Sequence, residues 1–193
     1  VPKDIPKSID YLQKAASQNN SDAMLYLGLI IYENDPTKGL YYFELSIQQN
    51  NMYAQYIYGI LYYNGLDVNQ DINKSIYYLT LSSDQNNPHA QLFLGKIYYD
   101  GIYVQKDIHK SIHYLELSSK SNQSEAQYLL GYIYLTEKEF QENINLSIKY
   151  LQLSAENFQP KALYLLGVIY YYSVKYIQRD ITKSIKYFKE SSN

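Results

Sequence analysis

The sequence has no cysteine and no tryptophan, and its 193 residues include only 8 glycines and 5 prolines. Without cysteine, the chain can form no disulfide bond, no thiolate metal site and no cysteine nucleophile. No apolar run approaches the roughly 20 residues that span a bilayer. The 17 basic and 19 acidic residues are mixed along the chain, so no broad positive field favours nucleic acid or an anionic membrane. We therefore expect neither of these partners.

One segment recurs along the chain at a spacing of roughly 36 residues. It reads DINKSIYYL in residues 71–79. Related segments begin at Asp4, Asp35, Asp71, Asp107, Asn143 and Asp180. The repeat that starts at Asp4 is about five residues shorter than the others. A period of this length is typical of helical arrays.

Each repeat predicts a pair of helices. The apolar positions of the first helix follow a helical period, and the Asp or Asn at its start is a good N-cap. A polar turn such as Asn50–Asn51 follows, because Asn tolerates the left-handed conformation that ends many helices. Pro88 and Pro160 suit the first position of a second helix.

Glycine recurs at one position of each second helix, five residues after an alanine. The residues are Gly28, Gly59, Gly95, Gly131 and Gly167. Since a glycine inside a helix costs about 1 kcal/mol relative to alanine, a packing reason is needed at every repeat. The pattern therefore predicts a close helix crossing at these glycines, where a Cβ would clash.

The combined pattern resembles the Sel1-like repeat, a relative of the tetratricopeptide repeat. The resemblance lies in the K-S-I-x-Y-L segment, the Ala and Leu-Gly spacing, the Tyr-Tyr pair and the loop glycines Gly65 and Gly101. It covers essentially the whole chain. It implies an all-α fold, a right-handed α-solenoid of two-helix repeats with five full repeats and one extra first helix. The expected repeats are residues 4–34, 35–70, 71–106, 107–142 and 143–179, followed by a final helix, 180–193.

This chain departs from the family pattern in the turn inside each repeat. The family's usual glycine is replaced there by Asn, and by Phe158 in repeat five. The loop glycine is kept only as Gly65 and Gly101, and the family's aromatic residue in the first helix is always Tyr here.

Candidate catalytic and metal-binding residues do not form a convincing set. His109 and His113 are one helical turn apart, which is a spacing that can hold a metal. Their equivalents one repeat earlier are Asn73 and Tyr77, so the pattern favours ordinary exposed positions. The acidic residues of the same region favour solvated surfaces: Glu116, Glu125, Glu137, Glu139 and Glu142. We expect no catalytic residue, no cofactor and no metal site.

Tyrosine, with 26 residues, is the largest anomaly of the composition. Six tyrosines share one register of the first helix: Tyr11, Tyr42, Tyr78, Tyr114, Tyr150 and Tyr187. We expect them to form an internal stacking ladder whose hydroxyls reach water. Use as phosphorylation sites is the second interpretation.

A basic cluster near the end of the chain is the one local charge asymmetry. It consists of Lys175, Arg179, Lys183, Lys186 and Lys189. We interpret it as the polar side of the last helix, with an acidic partner or a neighbouring domain as the alternative.

The resemblance implies a partner-binding surface on the first helices, which line the concave side of such arrays. In the middle repeats this surface has leucine where Lys14 and Glu190 stand at the two ends. The predicted partner-binding residues are Tyr41, Leu45, Tyr77, Leu81, His113, Leu117 and Leu153. Such a stripe suits an extended or helical peptide. The alternative is that the leucines only widen the core.

The function that the resemblance implies is a non-catalytic protein–protein interaction module, an adaptor or scaffold. We expect it to be a fragment of a larger signalling or quality-control protein, with a protein or peptide partner and no small-molecule substrate. The expected location is the cytoplasm, or the endoplasmic reticulum lumen for a larger parent protein. A Sel1-like hydrolase is an alternative, which the lack of cysteine pairs disfavours. A structural spacer is another, and it would lack an apolar stripe.

Overall fold

The computed structural model of the chain describes residues 5–174 and 177–192. Within these residues every regular element is a helix. The α-helices are α1 (Ile5–Ala16), α2 (Ser21–Tyr32), α3 (Pro36–Gln48), α4 (Met52–Asn64), α5 (Ile72–Asp84), α6 (Pro88–Asp100), α7 (Ile108–Ser119), α8 (Ser124–Thr136), α9 (Ile144–Glu156), α10 (Pro160–Tyr172) and α11 (Ile181–Ser191). A 3-10 helix, Lys138–Asn143, lies between α8 and α9. Odd-numbered α-helices are the first helices of the repeats and even-numbered ones the second helices.

The helices form two compact units, Val1–Leu94 and Gly95–Asn193, and the boundary between them falls within α6. In the first unit, the buried cluster contains Leu25, Phe43, Ala54, Tyr58 and Leu61. In the second unit, residues from α9 and α10 form a corresponding cluster around Leu151 and Leu166, which are fully buried. Each unit therefore has an apolar core between its first and second helices.

The repeated Asp begins the first helices as predicted. The side chains of Asp35, Asp71, Asp107 and Asp180 each accept a hydrogen bond from the backbone N–H three residues on, at 2.9 or 3.0 Å. These bonds satisfy a backbone donor that the helix itself leaves unpaired. Asn143, the last residue of the 3-10 helix, makes no side-chain cap bond. The predicted cap Asp4 lies outside the described residues.

The turn inside each repeat passes through a residue with positive φ. Asn19, Asn50, Asn86 and Asn122 have φ between 56° and 64°. In repeat five, Phe158 adopts the same conformation with a φ of 55°, and 81% of the residue is exposed. Since Asn tolerates this region better than an aromatic residue does, the turn of repeat five stores backbone strain that the other turns avoid.

The recurring glycine lies where a second helix crosses the next first helix, as predicted. A Cβ on Gly59 would lie 2.6 Å from Cγ of Leu79, and one on Gly95 would lie 2.7 Å from Cγ of Leu115. Both leucines are fully buried. A side chain at these glycines would therefore push the helices apart.

In the second unit, a buried serine forms a hydrogen bond across each of these crossings. The hydroxyls of Ser111, Ser147 and Ser184 donate to the carbonyl oxygens of Gly95, Gly131 and Gly167 at 2.8, 2.7 and 2.9 Å. In the first unit, the equivalent Ser75 is fully buried, and its hydroxyl has no hydrogen-bond partner among the described residues. Its equivalent in α3 is Gly39.

Candidate protein-binding surface

The seven predicted partner-binding residues lie on four first helices. In the first unit, Tyr41 on α3 is 55% exposed and Tyr77 on α5 is 59% exposed. In the second unit, His113 on α7 is exposed. The four predicted leucines are half-buried: Leu45, Leu81, Leu117 and Leu153. Each leucine is thus partly accessible to solvent beside a neighbouring side chain that is more exposed.

The exposed rings rest against tyrosines of the same helix. The ring centroid of Tyr77 lies 5.2 Å from that of Tyr78, edge to face. Tyr78 in turn stacks on Tyr62 of α4, with centroids 5.9 Å apart and planes 4° apart. Tyr41 against Tyr42 (5.5 Å) and His113 against Tyr114 (5.3 Å) repeat the edge contact. Because these contacts restrict the exposed rings before a partner arrives, less side-chain entropy is lost on binding.

The predicted ladder of first-helix tyrosines is wrong, because most of these tyrosines stack on tyrosines of other helices. Four of the six stack instead on a tyrosine of the preceding second helix, with ring centroids 5.9 Å apart. The pairs are Tyr62–Tyr78, Tyr98–Tyr114, Tyr134–Tyr150 and Tyr170–Tyr187. The second-helix tyrosine recurs at repeat spacing in the sequence, and this is the signal that pointed to the correct pairing.

Two glutamates that neighbour predicted leucines accept hydrogen bonds from tyrosine hydroxyls. Tyr58 donates to Oε1 of Glu44 at 2.5 Å, and Tyr150 donates to Oε1 of Glu116 at 3.4 Å. Burial, and then the bond to Glu44, raises the pKa of Tyr58. Burial and the charge of Glu116 raise the pKa of Tyr150 to about 12. These hydrogen bonds orient the two carboxylates, and the raised pKa values keep both hydroxyls protonated to a higher pH than that of an ordinary tyrosine.

The two outermost first helices carry ion pairs in the register that holds Tyr41 and Leu45 on α3. On α1, Nζ of Lys14 lies 2.7 Å from Oδ2 of Asp10. On α11, Nζ of Lys186 lies 3.8 Å from Oε1 of Glu190. Exposed pairs of this kind add little stability and keep a helix face hydrated. The apolar side chains of this register are therefore confined to α3, α5, α7 and α9.

The histidines considered as metal ligands have separate partners. Nε2 of His109 lies 3.0 Å from Oε1 of Glu139, and its ring lies edge-on to Phe140. His113 contacts Tyr114 instead. Throughout residues 5–174 and 177–192, no group of three or more His, Asp or Glu side chains is placed to hold a metal ion.

The basic residues near the end of the chain contact tyrosine rings and carboxylates. The guanidinium of Arg179 lies 5.4 Å from the centroid of Tyr171, and Nζ of Lys183 lies 5.0 Å from that of Tyr170. Lys175 of the predicted cluster lies outside the described residues. Among the described helices, none has the length and apolar character that crossing a membrane requires.

Comparison with known proteins identifies the repeat. The sequence profile of the Sel1 repeat matches residues 1–20, 21–51, 53–87, 88–122, 124–157 and 160–193. The chain belongs to the Sel1 repeat family. Sel1 repeats generally serve as protein-interaction modules, and the proteins that carry them are typically non-catalytic scaffolds. The profile starts its unit at the second helix, so its ranges are offset from the predicted repeat boundaries, which remain a prediction.

Solved structures share the fold of the Sel1 repeat chain. A protective antigen present in uropathogenic Escherichia coli strains, displaying an SLR fold, has a TM-score of 0.90 over 95% of this chain at 22% identity. A Sel1 repeat protein from Oxalobacter formigenes has a TM-score of 0.83 over 95% of this chain and 76% of its own, at 24% identity. An immunity protein from Pseudomonas aeruginosa has a TM-score of 0.58 over 95% of this chain and 72% of its own, at 21% identity. The expected all-α solenoid class is confirmed by this agreement.

The Sel1 repeat chain is shorter than these relatives. It spans 40% of the length of the Escherichia coli antigen. A search of curated proteins gives no significant match.

Proposed function

We propose that this Sel1 repeat chain is a non-catalytic adaptor or scaffold that binds a protein or peptide on its first helices. The binding residues would be Tyr41, Leu45, Tyr77, Leu81, His113, Leu117 and Leu153. A signalling or quality-control assembly is the setting that such a role suits, and we place it in the cytoplasm.

The observation that carries the proposal is the exposed aromatic ring beside a half-buried leucine. Tyr41 and Leu45 on α3 repeat as Tyr77 and Leu81 on α5, and the tyrosines are more than half exposed. Aromatic residues are enriched at the centres of protein interfaces, where they bury a large area for few rotatable bonds. An array that only separated other domains would gain nothing from solvent-exposed rings held in fixed orientations.

The ion pairs at the ends add a second line of support. Asp10 and Lys14, and likewise Lys186 and Glu190, replace the aromatic–leucine combination with charged side chains that remain hydrated. In each unit, one first helix is thus charged at this register while the others carry leucine, and protein interfaces combine apolar and polar side chains in this way.

The test uses affinity capture from a cell extract with the wild-type chain and the double variant Tyr41→Ala and Tyr77→Ala. Both side chains are more than half exposed, so the variant should fold normally. We expect the specific partner to be lost from the capture. With the purified partner, the double variant should weaken binding by roughly 2 kcal/mol or more in calorimetry.

Tyr53→Ala is the matched control, because Tyr53 is 45% exposed but lies on the second helix α4. It should leave capture unchanged. A partner retained by the double variant and lost with Tyr53→Ala would place binding on the second helices. If neither the wild-type chain nor any variant captures a partner, the result would support the structural-spacer alternative.

A further inference from the structure

The first repeat lacks the loop that the second repeat uses to complete its core. Residues 33–35 alone join α2 to α3, whereas residues 65–71 join α4 to α5. In the longer loop, Gly65 has a φ of 68°, which turns the chain back toward the helices. Val68 of that loop is half-buried and packs on the core cluster that contains Leu61. Residues 33–35 are Glu, Asn and Asp, so the short connection offers no apolar side chain for this position.

A cavity of about 740 Å³ lies beside the short connection. Its apolar wall consists of Ile9 from α1 together with Leu29, Ile30 and Ile31 from α2. Leu29 is 42% exposed, so its side chain is accessible to a molecule that enters the cavity. The volume lies within the range of pockets that hold small ligands. It is also large enough for the side chains of a short peptide segment.

The repeat register shows what the same place holds one repeat later. The residues Ile9, Ile30 and Ile31 correspond to Leu40, Leu61 and Tyr62. Leu40 and Tyr62 pack with Val68 on the cluster that contains Leu61. In the second unit, Ile177 precedes the cap Asp180 by three residues, as Val68 precedes Asp71, and it packs on the core cluster. The chain itself therefore shows that a branched aliphatic side chain from an extended segment suits this position.

The charges at the rim favour a basic residue close to that aliphatic one. Glu33, Asp35 and Lys38 line the cavity, so two of its three charged side chains are acidic. In the loop of residues 101–107, Val104 is followed by Lys106, whose Nζ lies 2.9 Å from Oε1 of Glu137. A loop of this chain thus already combines an aliphatic residue with a lysine that pairs with a nearby carboxylate.

We propose that the cavity beside residues 33–35 binds an extended segment of a partner protein. That segment inserts a Val or Ile side chain between α1 and α2 and carries a Lys that pairs with the acidic rim. The site is separate from the surface around Tyr41 and Tyr77, so either proposal can fail alone.

The probe is a capped synthetic peptide with the sequence of residues 101–107, Gly-Ile-Tyr-Val-Gln-Lys-Asp. Amide chemical shifts of the full chain are followed during titration. We expect shifts concentrated at Ile9, Leu29, Ile30 and Ile31. A matched peptide with Val104→Ser should bind at least tenfold more weakly, because the hydroxyl replaces the inserted aliphatic group.

Two variants of the chain serve as controls. Leu29→Asp changes a residue that is 42% exposed, so the fold should persist, as judged by circular dichroism, while peptide binding is lost. In a graft, residues 33–35 are replaced by the sequence of residues 101–107. The grafted loop should fill the cavity, raise the melting temperature and abolish peptide binding.

Three results would overturn the proposal. The first is a peptide that causes no shifts or causes them elsewhere. The second is equal binding of the Val and Ser peptides or continued binding by the grafted chain. The third is that the wild-type chain associates with itself and the Leu29→Asp variant does not. That result would show that the cavity binds a second copy of the chain.

Discussion

The first unit contains two versions of the same helix crossing, α2 with α3 and α4 with α5. In the α4–α5 crossing, Gly59 faces Leu79 and the chain returns through the loop of residues 65–71. In the α2–α3 crossing, the equivalent Gly28 faces Phe43, and a Cβ there would lie 2.5 Å from the ring. The larger ring fills volume that leucine fills in the other crossing.

The short connection also changes which residue packs against the start of α3. A Cβ on Gly39 would lie 2.7 Å from Cα and Cβ of Tyr32, at the end of α2. At the same register in α5, the fully buried Ser75 takes the place of this glycine. Shortening the loop draws the end of α2 against α3, so glycine replaces serine at this point. A deletion in a helical repeat therefore demands compensating changes on the neighbouring helix.

The largest predicted effect comes from Gly39→Ala. Its new methyl group would meet the backbone of Tyr32, which cannot move without shifting α2. We expect destabilisation of about 3 kcal/mol, measured by urea denaturation. Gly59→Ala is the matched variant. It meets Cγ of the fully buried Leu79 and no backbone atom closer than 3.3 Å, so the leucine has to repack and the cost should be smaller, about 1 to 2 kcal/mol. Equal costs would show that the short connection does not tighten the crossing.

Two equivalent serines should respond differently to the same substitution. Ser111→Ala removes the 2.8 Å bond to the carbonyl of Gly95 and should cost about 1 kcal/mol in the free energy of unfolding. Ser75→Ala removes a buried hydroxyl that has no partner among the described residues, so stability should stay constant or rise by a few tenths of a kcal/mol. A similar loss in both variants would mean that Ser75 also bonds across its crossing.

The smallest effect concerns Tyr32, which donates a 2.6 Å hydrogen bond to Oδ2 of Asp67 in the long loop. Tyr32→Phe keeps the ring and should cost about 0.5 to 1 kcal/mol at pH 8. Burial, and then Asp67, raises the pKa of Tyr32 from 10.0 to about 12. The folded state therefore favours the protonated hydroxyl. Its contribution is complete below pH 10 and is lost as the pH rises toward 12.

The difference in urea midpoint between wild type and Tyr32→Phe should accordingly shrink between pH 8 and pH 11. A difference that stays constant over this range would contradict the raised pKa. Asp67→Asn is a useful companion, because it keeps the size of the side chain but removes the charge.

Much of the fold could be predicted because the same signals for helix starts, turns and crossings recur in successive repeats. The Asp caps, the Asn turns and the crossing glycines each recur, so that one interpretation is tested several times along the chain. The first connection was recognised as shorter, but the cavity beside it could not be predicted. That cavity depends on which side chains surround a missing loop, and spacing alone does not show this.

The candidate surface was predicted less completely. The register placed Tyr41 and Tyr77 at equivalent positions, and both are exposed, but half-burial of Leu45 and Leu81 depends on how far each helix is rotated against its neighbours. The stacking of Tyr78 on Tyr62 was missed because the expected ladder joined residues of one register only. Both partners recur at repeat spacing, but the period alone does not show that the two helices on which they lie face each other.

The stacked tyrosines give the chain an optical property. With no tryptophan and 26 tyrosines, its near-ultraviolet absorption above the peptide bands comes mainly from tyrosine. In the pairs Tyr62–Tyr78, Tyr98–Tyr114 and Tyr134–Tyr150, the ring planes lie within 4° of one another. Tyrosine rings held in fixed, packed surroundings give near-ultraviolet circular dichroism, and this signal is lost when the two helices separate. The folded state of three successive helix crossings can thus be observed in an unlabelled chain.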